Sequence, residues 1–462
     1  MSIRRYIGDG AFYRRLFAVM IPILIQQAIT NFVSLLDNIM VGQVGTEPMS
    51  GVAIVNRLLF VFNLTIFGGL AGAGILTAQF YGKGDNKGVR DTMKIKLLFA
   101  ALAVAVGLGV LLLWGRQLID LFLHEGKEAL DLDLTRRHAL SYLKLMLIQL
   151  APFALTQVYS SSLRETGETV VPMRAGIVAV LVNLVFNYIL IFGKLGAPAL
   201  GVEGAAIATV LSRFVECAIV LIWAHSHREK CPYVPGLYRI ERIPGALLRQ
   251  VLIMGTPLLL NELLWSGGMT MLDQCYSVRG LEVVSAFNIS GTVGNLFFCA
   301  FIAMGNSISI MVGQLLGAGE LERAVDEDRK LIAFSLALSI AVGLMMALVA
   351  PLVPRLYNTT DHVRALAVEL LLVYAAMMPL YSYTNSCYFT LRSGGKTVIT
   401  FVFDSLFVWA VKLPVAFVLS RFTATPILLM YLVVELLDLI KCVIGFVLVR
   451  GRKWVVDLVK EH

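Results

Sequence analysis

Twelve apolar runs, each long enough to cross a lipid bilayer, leave this chain little else to fold into. They lie near residues 16–41, 52–80, 95–114, 142–163, 170–192 and 202–223, and again near 247–276, 283–316, 331–356, 365–391, 398–419 and 426–448. About 20 apolar residues span the hydrocarbon core. The runs lack the alternation of a barrel strand, and a backbone in lipid must bond to itself, so they are expected to be helices. A large soluble protein with a greasy core is excluded: 58% of residues are hydrophobic and 15% charged, where a soluble chain carries about 25% charged residues. No room is left for a soluble domain.

Most of the 39 Lys and Arg fall at the two ends and in the loops after the even-numbered spans. The positive-inside tendency then places both termini in the cytoplasm, in a multi-pass protein of the cytoplasmic membrane. Arg4, Arg5, Arg14 and Arg15 at the head, and Arg450, Arg452 and Lys453 at the tail, account for the +8 balance beside anionic headgroups, with no nucleic acid as partner. The first run is too long for a signal peptide and reads as a retained span. Six scattered cysteines without C-x-x-C suggest neither a disulfide framework nor a zinc site, and no cofactor or resident metal is expected.

The chain repeats itself. Gln79, Gly82, Gly84 and Asp85 recur as Gln314, Gly317, Gly319 and Glu320, 235 residues later; Pro22 recurs as Pro257 and Gly45 as Gly280 at the same spacing. Leu163-Arg164-Glu165-Thr166-Gly167-Glu168-Thr169 recurs as Leu391-Arg392-Ser393-Gly394-Gly395-Lys396-Thr397, sharing L-R-x-x-G-x-T. Six spans per copy is an even number, so the copies enter the membrane from the same side. The expected fold is an all-α membrane protein of twelve transmembrane helices in two parallel six-helix repeats, an N-lobe (1–224) and a C-lobe (246–462), around a central cavity, joined by a cytoplasmic linker (225–245). The glycines and their neighbours (Gln79, Gly82, Gly84, Gln314, Gly317, Gly319, Arg164, Gly167, Arg392, Gly395) read as turns and hinges that need positive φ. A phosphate-cradling loop would need a Walker Lys-Ser/Thr.

Function has to come from polar residues that lipid disfavours. Asp37 sits in span 1, and Asp273 holds a comparable place in span 7. Asn183 and Asn187 are i, i+4 in span 5 and can turn two amide oxygens to one cation, or bond neighbouring helices instead. Glu262 in span 7 and Asp404 in span 11 are further candidates. Glu435, Asp438 and Lys441 in span 12 are expected to pair within their own helix. A carboxylate with amides suits Na⁺, and a carboxylate alone suits H⁺.

In the order of these features the chain resembles the multidrug and toxic compound extrusion (MATE) transporters: Pro22 and Asp37 in span 1, Q-F-Y-G-K-G-D at 79–85, L-R-E-T-G-E-T at 163–169, and their second-half counterparts. The resemblance implies an antiporter that expels small amphipathic or cationic organic compounds in exchange for Na⁺ or H⁺. It implies an N-lobe ion site built from Asp37, Asn183, Asn187 and the span 6 hydroxyl Thr209. Two departures stand out: Asn187 where some members carry an acid, and in span 10 only Tyr381, Ser382, Tyr383 and Asn385 where members with a C-lobe ion site carry one. A possible C-lobe site is limited to Glu262, Asp273 and Asp404. The substrate cavity should be apolar and lined by Met and aromatic side chains, and the transporter a monomer working by rocking alternating access. The rival reading is a lipid-linked oligosaccharide or lipid flippase of the same plan, for which more intramembrane Arg and Lys than Arg57, Lys144, Arg213, Lys412 and Lys441 would be expected. A membrane-embedded enzyme is the poorest fit, because no catalytic constellation falls inside the spans.

Overall fold

The computed structural model describes residues 3–123, 131–239, 242–357 and 359–460. The first six long helices are α1 (Gly10–Gly42), α2 (Thr46–Lys83), α3 (Asn86–Asp120), α4 (Leu132–Glu165, with one 3₁₀ turn at Leu147–Gln149), α5 (Val170–Phe192) and α6 (Val202–Ser226). The second set is α7 (Gly245–Ser277), α8 (Leu281–Gly317), α9 (Leu321–Val349), α10 (Asp361–Ser393) and α11 (Thr397–Phe422). These eleven are long and apolar enough to cross a membrane. The twelfth run is divided at Leu437 into α12 (Ile427–Leu436) and α13 (Asp438–Arg450). The helical reading of all twelve runs therefore holds, the last carrying a turn at Leu437 whose backbone stays right-handed helical (φ −59°, ψ −23°). Among the described residues there is no strand.

Two compact units emerge. One gathers Met1–Leu24, Ala78–Asp85 and Val251–His462; the other gathers Ile25–Thr77 and Asn86–Gln250. The first turns of α1 and the last turns of α2 thus belong with the second-half helices. Helix α2 explains how: its 38 residues rise about 57 Å at ~1.5 Å each, well beyond a hydrocarbon core of roughly 30 Å. In the first unit, Phe12, Leu16 and Met20 of α1 share a core with Met304, Met311 and Leu315 of α8 and with Trp454 of the tail. In the second unit, α3 leaves Leu98, Leu102, Leu112 and Leu113 each at least 60% exposed. Such a face suits lipid contact and would be untenable in water.

The repeat glycines divide their labour. Gly84 (φ +79°) and Gly319 (+76°) take the positive φ expected of them, and Gly167 (+89°), Gly395 (+72°), Gly45 and Gly280 also have positive φ. Gly82 and Gly317 do not. They end α2 and α8 where the two helices touch: a Cβ on Gly82 would stand 1.9 Å from the Gln314 carbonyl oxygen, and one on Gly317 would stand 1.9 Å from that of Gln79. The Q-x-x-G-x-G phrase therefore encodes a backbone-to-backbone helix contact in its first glycine and a turn in its second.

Two further segments are ordered by side chains rather than by helix. In the stretch after α6, Cys231, Tyr233, Val234 and Leu237 are buried. The Tyr233 hydroxyl meets Thr166 Oγ1 at 3.1 Å, Arg90 Nε donates to the Tyr233 carbonyl at 3.1 Å, and Lys230 pairs with Glu168 at 3.3 Å. The strap leaving the first half is thus a folded cap on α3 and α4. Beyond α13, Gln79 Nε2 donates to the carbonyls of Ser393 (3.0 Å) and Val456 (3.3 Å), and Gln79 Oε1 accepts from the Leu458 amide at 2.8 Å.

Candidate cation-coupling site

Four residues named from the sequence converge in the second unit. Asn183 and Asn187 lie one turn apart on the buried face of α5, with 5% and 1% of their surface exposed. Asp37 reaches them from α1 and Thr209 from α6. Asn187 Nδ2 donates to Asp37 Oδ1 at 2.6 Å and lies 3.1 Å from the Asn183 amide. Thr209 Oγ1 donates to the Ala205 carbonyl of its own helix at 3.0 Å and lies 3.2 Å from the Asn183 amide.

The Asn183 amide finds partners at both ends in one orientation. With its nitrogen toward α1, it donates to Asp37 at 2.8 and 3.1 Å, and its oxygen accepts from Thr209 at 3.2 Å. The neighbouring Asn187 Oδ1 is buried and has no hydrogen-bond partner. Carboxylate, amide and hydroxyl oxygens thus lie together, the donor set a hard cation prefers.

Two neighbours escaped the sequence reading. Tyr142 of α4, which donates to Asn56 Oδ1 at 3.4 Å, and Arg213 of α6 both lie within electrostatic reach of Asp37. Arg213 is paired to Glu216 at 2.9 Å, so its charge is already partly answered. Its place four residues after Thr209, one turn along α6, was the available signal; Tyr142 offered none.

The candidates in the first unit are not assembled in this way. Asp404 accepts from Lys441 Nζ at 2.6 Å and from Asn261 Nδ2 at 3.2 Å, which answers its charge. Glu262, the next residue after Asn261, is half-buried, and Asp273 is exposed. The expected pairing inside span 12 is replaced by pairing across helices. Lys412 of α11 holds Glu435 and Asp438 at 3.0 and 2.9 Å, while Lys441 turns to Asp404. The rotation of α12 and α13 about their axes decides this, and sequence spacing does not carry it.

Arg164 of the L-R-x-x-G-x-T motif reaches Gln26 Oε1 at 3.3 Å, and its neighbour Glu165 pairs with Lys96, whose side chain is fully buried. In the second copy the motif's Thr390 neighbour donates to the buried Asp328 at 2.6 Å. These groups tie helices together. Outside the spans, burial pushes the Cys231 thiol and the Tyr233 phenol above their ordinary pKa ranges.

The MatE family profile matches twice, over residues 22–189 and 257–418, opening each time on a repeat proline. The chain is 26% identical over 412 residues to a probable multidrug resistance protein NorM of Thermotoga maritima, covering 88% of this chain and 86% of that one. It is 25% identical over 418 residues to the multidrug resistance protein MdtK of Edwardsiella ictaluri, covering 88% and 87%. Among solved structures it resembles an outward-facing multidrug resistance MATE family transporter of the MOP superfamily, with a TM-score of 0.86 over 98% of both chains at 18% identity. It also resembles a Pyrococcus furiosus transporter of that superfamily, for which a reversed polarity of the binding pocket suggests a different function, with a TM-score of 0.83 over 97% of both chains at 19% identity. Two matches of one profile, full-length relatives and the helical fold agree: the chain belongs to the MatE family, the multidrug and toxic compound extrusion transporters.

Proposed function

We propose that the protein exports amphipathic or cationic organic compounds across the cytoplasmic membrane in exchange for Na⁺ or H⁺, and that Asp37, Asn183, Asn187 and Thr209 bind the incoming ion. The observation that carries this reading is the unpartnered Asn187 Oδ1 beside the Asp37 carboxylate. Buried acceptors are seldom left idle where a cluster serves structure alone. Ion and substrate favour different conformations, so each drives the other's passage by differential affinity. One inward charge gains about 2.3 kcal/mol per 100 mV, enough to hold roughly a fifty-fold gradient of a neutral compound.

The names of the full-length relatives support drug export over lipid flipping. So does the chemistry of the intramembrane lysines: Lys412 and Lys441 are both held by carboxylates, which leaves neither to grip a pyrophosphate. The test compares ethidium efflux by cells making the wild type with efflux by cells making equal membrane amounts of Asp37→Asn. Efflux by the wild type that falls to background in the variant is expected. Undiminished efflux in the variant, or flipping of a lipid-linked sugar in place of dye export, would refute the reading.

A further inference from the structure

The folded stretch after α6 encloses a cavity. It measures about 310 Å³ and is lined by His225, Arg228, Val234, Pro235, Gly236 and Tyr238, a volume at the lower end of the roughly 300–1,000 Å³ that small-molecule sites occupy. Its walls are aromatic, apolar and basic, without an acid. Sixteen residues of α6 separate His225 from Thr209, about 24 Å at ~1.5 Å each. The cavity is therefore remote from the Asp37 cluster.

One wall is a ring platform. The His225 and Tyr238 rings lie parallel, their planes 7° apart and their centroids 5.8 Å apart. His225 is oriented by Nδ1, which donates to the Leu221 carbonyl at 2.9 Å, and the Tyr238 hydroxyl meets that of Tyr159 on α4. Fixed in this way, Tyr238 still leaves 65% of its surface exposed, whereas an aromatic ring that serves packing alone buries its faces. The other wall is cationic. Among the described residues Arg228 makes no hydrogen bond or ion pair, and Arg90 engages only through Nε, which donates to the Tyr233 carbonyl at 3.1 Å. Arg90 Nη1 lies 3.7 Å from where a Cβ on Gly236 would stand, so the bare glycine leaves that edge of the guanidinium uncovered. Glu168, the acid that this stretch contacts, is already held by Lys230 at 3.3 Å.

We propose that this cavity binds an organic anion carrying a planar aromatic ring, at a site separate from the export pathway in place and in the charge it selects. The ring stacks on the open face of Tyr238. The anionic oxygens accept from Arg228 and from the uncovered Nη edge of Arg90, charge-assisted bonds of the kind guanidinium groups make best. An inorganic anion leaves the platform unused, and an uncharged ring leaves two guanidinium groups unanswered. An aromatic cation is repelled by both. Binding is reversible and makes no covalent bond; the occupant ties residues 228–238 to the last turn of α6.

The test measures binding and needs no transport, so it stands apart from the export reading. Full-length protein in detergent is titrated calorimetrically with naphthoate, and the heat of detergent alone is subtracted. Arg228→Gln, which breaks no contact, should weaken binding at least ~10-fold, and Tyr238→Leu about as much. Cyclohexanecarboxylate keeps the charge and naphthylmethanol keeps the ring; each should bind at least ~10-fold more weakly than naphthoate. Saturating naphthoate should also slow hydrogen exchange at residues 233–239. If Tyr238→Leu loosens the stretch, seen as faster exchange there without naphthoate, then Arg228→Gln and the two analogues decide the matter. No binding of naphthoate, binding unchanged in Arg228→Gln, equal binding of either analogue, or protection confined to other parts of the chain would overturn the proposal.

Discussion

Gly82 lies against the backbone of Gln314 so closely that a single added methyl would stand 1.9 Å from the Gln314 carbonyl oxygen, and Gly317 meets Gln79 in the same way. The obstacle is main chain, which cannot swing aside as a side chain can. Gly82→Ala and Gly317→Ala should therefore each destabilise the protein by at least the ~1–3 kcal/mol typical of overpacking. The double variant should lose less than the sum, because both changes part the same contact. Gly84→Ala, with open space around it but φ at +79°, should cost only the ~1–2 kcal/mol of a left-handed backbone. Melting of the detergent-solubilised variants checks the order; equal losses at Gly82 and Gly84 would contradict it.

Lys96 is the most completely buried cation among the described residues of the second unit, and its ammonium is held by Glu165 and by Ser162 Oγ at 3.2 Å. Lys96→Met removes the ammonium from this ion pair, so a loss of up to about 3–5 kcal/mol is expected. Pairing it with Glu165→Gln should recover part of that loss, and a double-mutant cycle on thermal stability measures the coupling. Additive losses would show that the pair contributes nothing beyond its separate members.

Gln79 does more than punctuate α2. Its amide closes three hydrogen bonds, two of them to the tail. Gln79→Leu removes the donor and acceptor while keeping the bulk, leaving buried main-chain groups unsatisfied at about 1–3 kcal/mol. The expected readout is local: faster proteolysis and hydrogen exchange at residues 454–460, with the spans unchanged. Tail protection equal to wild type would rule out this clamp.

The folded stretch after α6 carries its own pH dependence. Burial raises the Cys231 and Tyr233 pKa values in the native state, so the fold favours their neutral forms. That stabilisation is complete below the ordinary thiol range near about 8.5 and is lost as pH climbs through the raised native values. In a protein whose other five cysteines are replaced by serine, maleimide labelling of Cys231 at pH 8 should be at least ~10-fold slower than in denaturant. The difference should narrow as pH rises. Equal rates at pH 8 would mean that this segment is open to solvent.

How much of this could be read in advance follows from what a linear sequence encodes. Span lengths, the double Q-x-x-G-x-G phrase and the positive φ of Gly84 and Gly319 are local properties, and they were legible. Asn183 and Asn187 could be placed on one face because a helix has a fixed period. Their meeting with Asp37 and Thr209 came from resemblance, since nothing local brings α1, α5 and α6 together. The pairing of Lys412 with Glu435 and Asp438 was hidden for the same reason: it depends on how α11 and α12 are rotated against each other. The second role of Gly82 and Gly317 was hidden too, because a glycine needed for a turn and one needed for close approach are the same letter.

Coupling through Asp37 is tested most directly in proteoliposomes holding purified protein, with ethidium movement followed under a Na⁺ gradient alone and a pH gradient alone. Wild-type transport driven by one of the two, and abolished by Asp37→Asn while Thr209→Ala raises the ion concentration needed, is the expected result. Gradient-driven transport that persists undiminished in Asp37→Asn would contradict the assignment of the ion to this cluster.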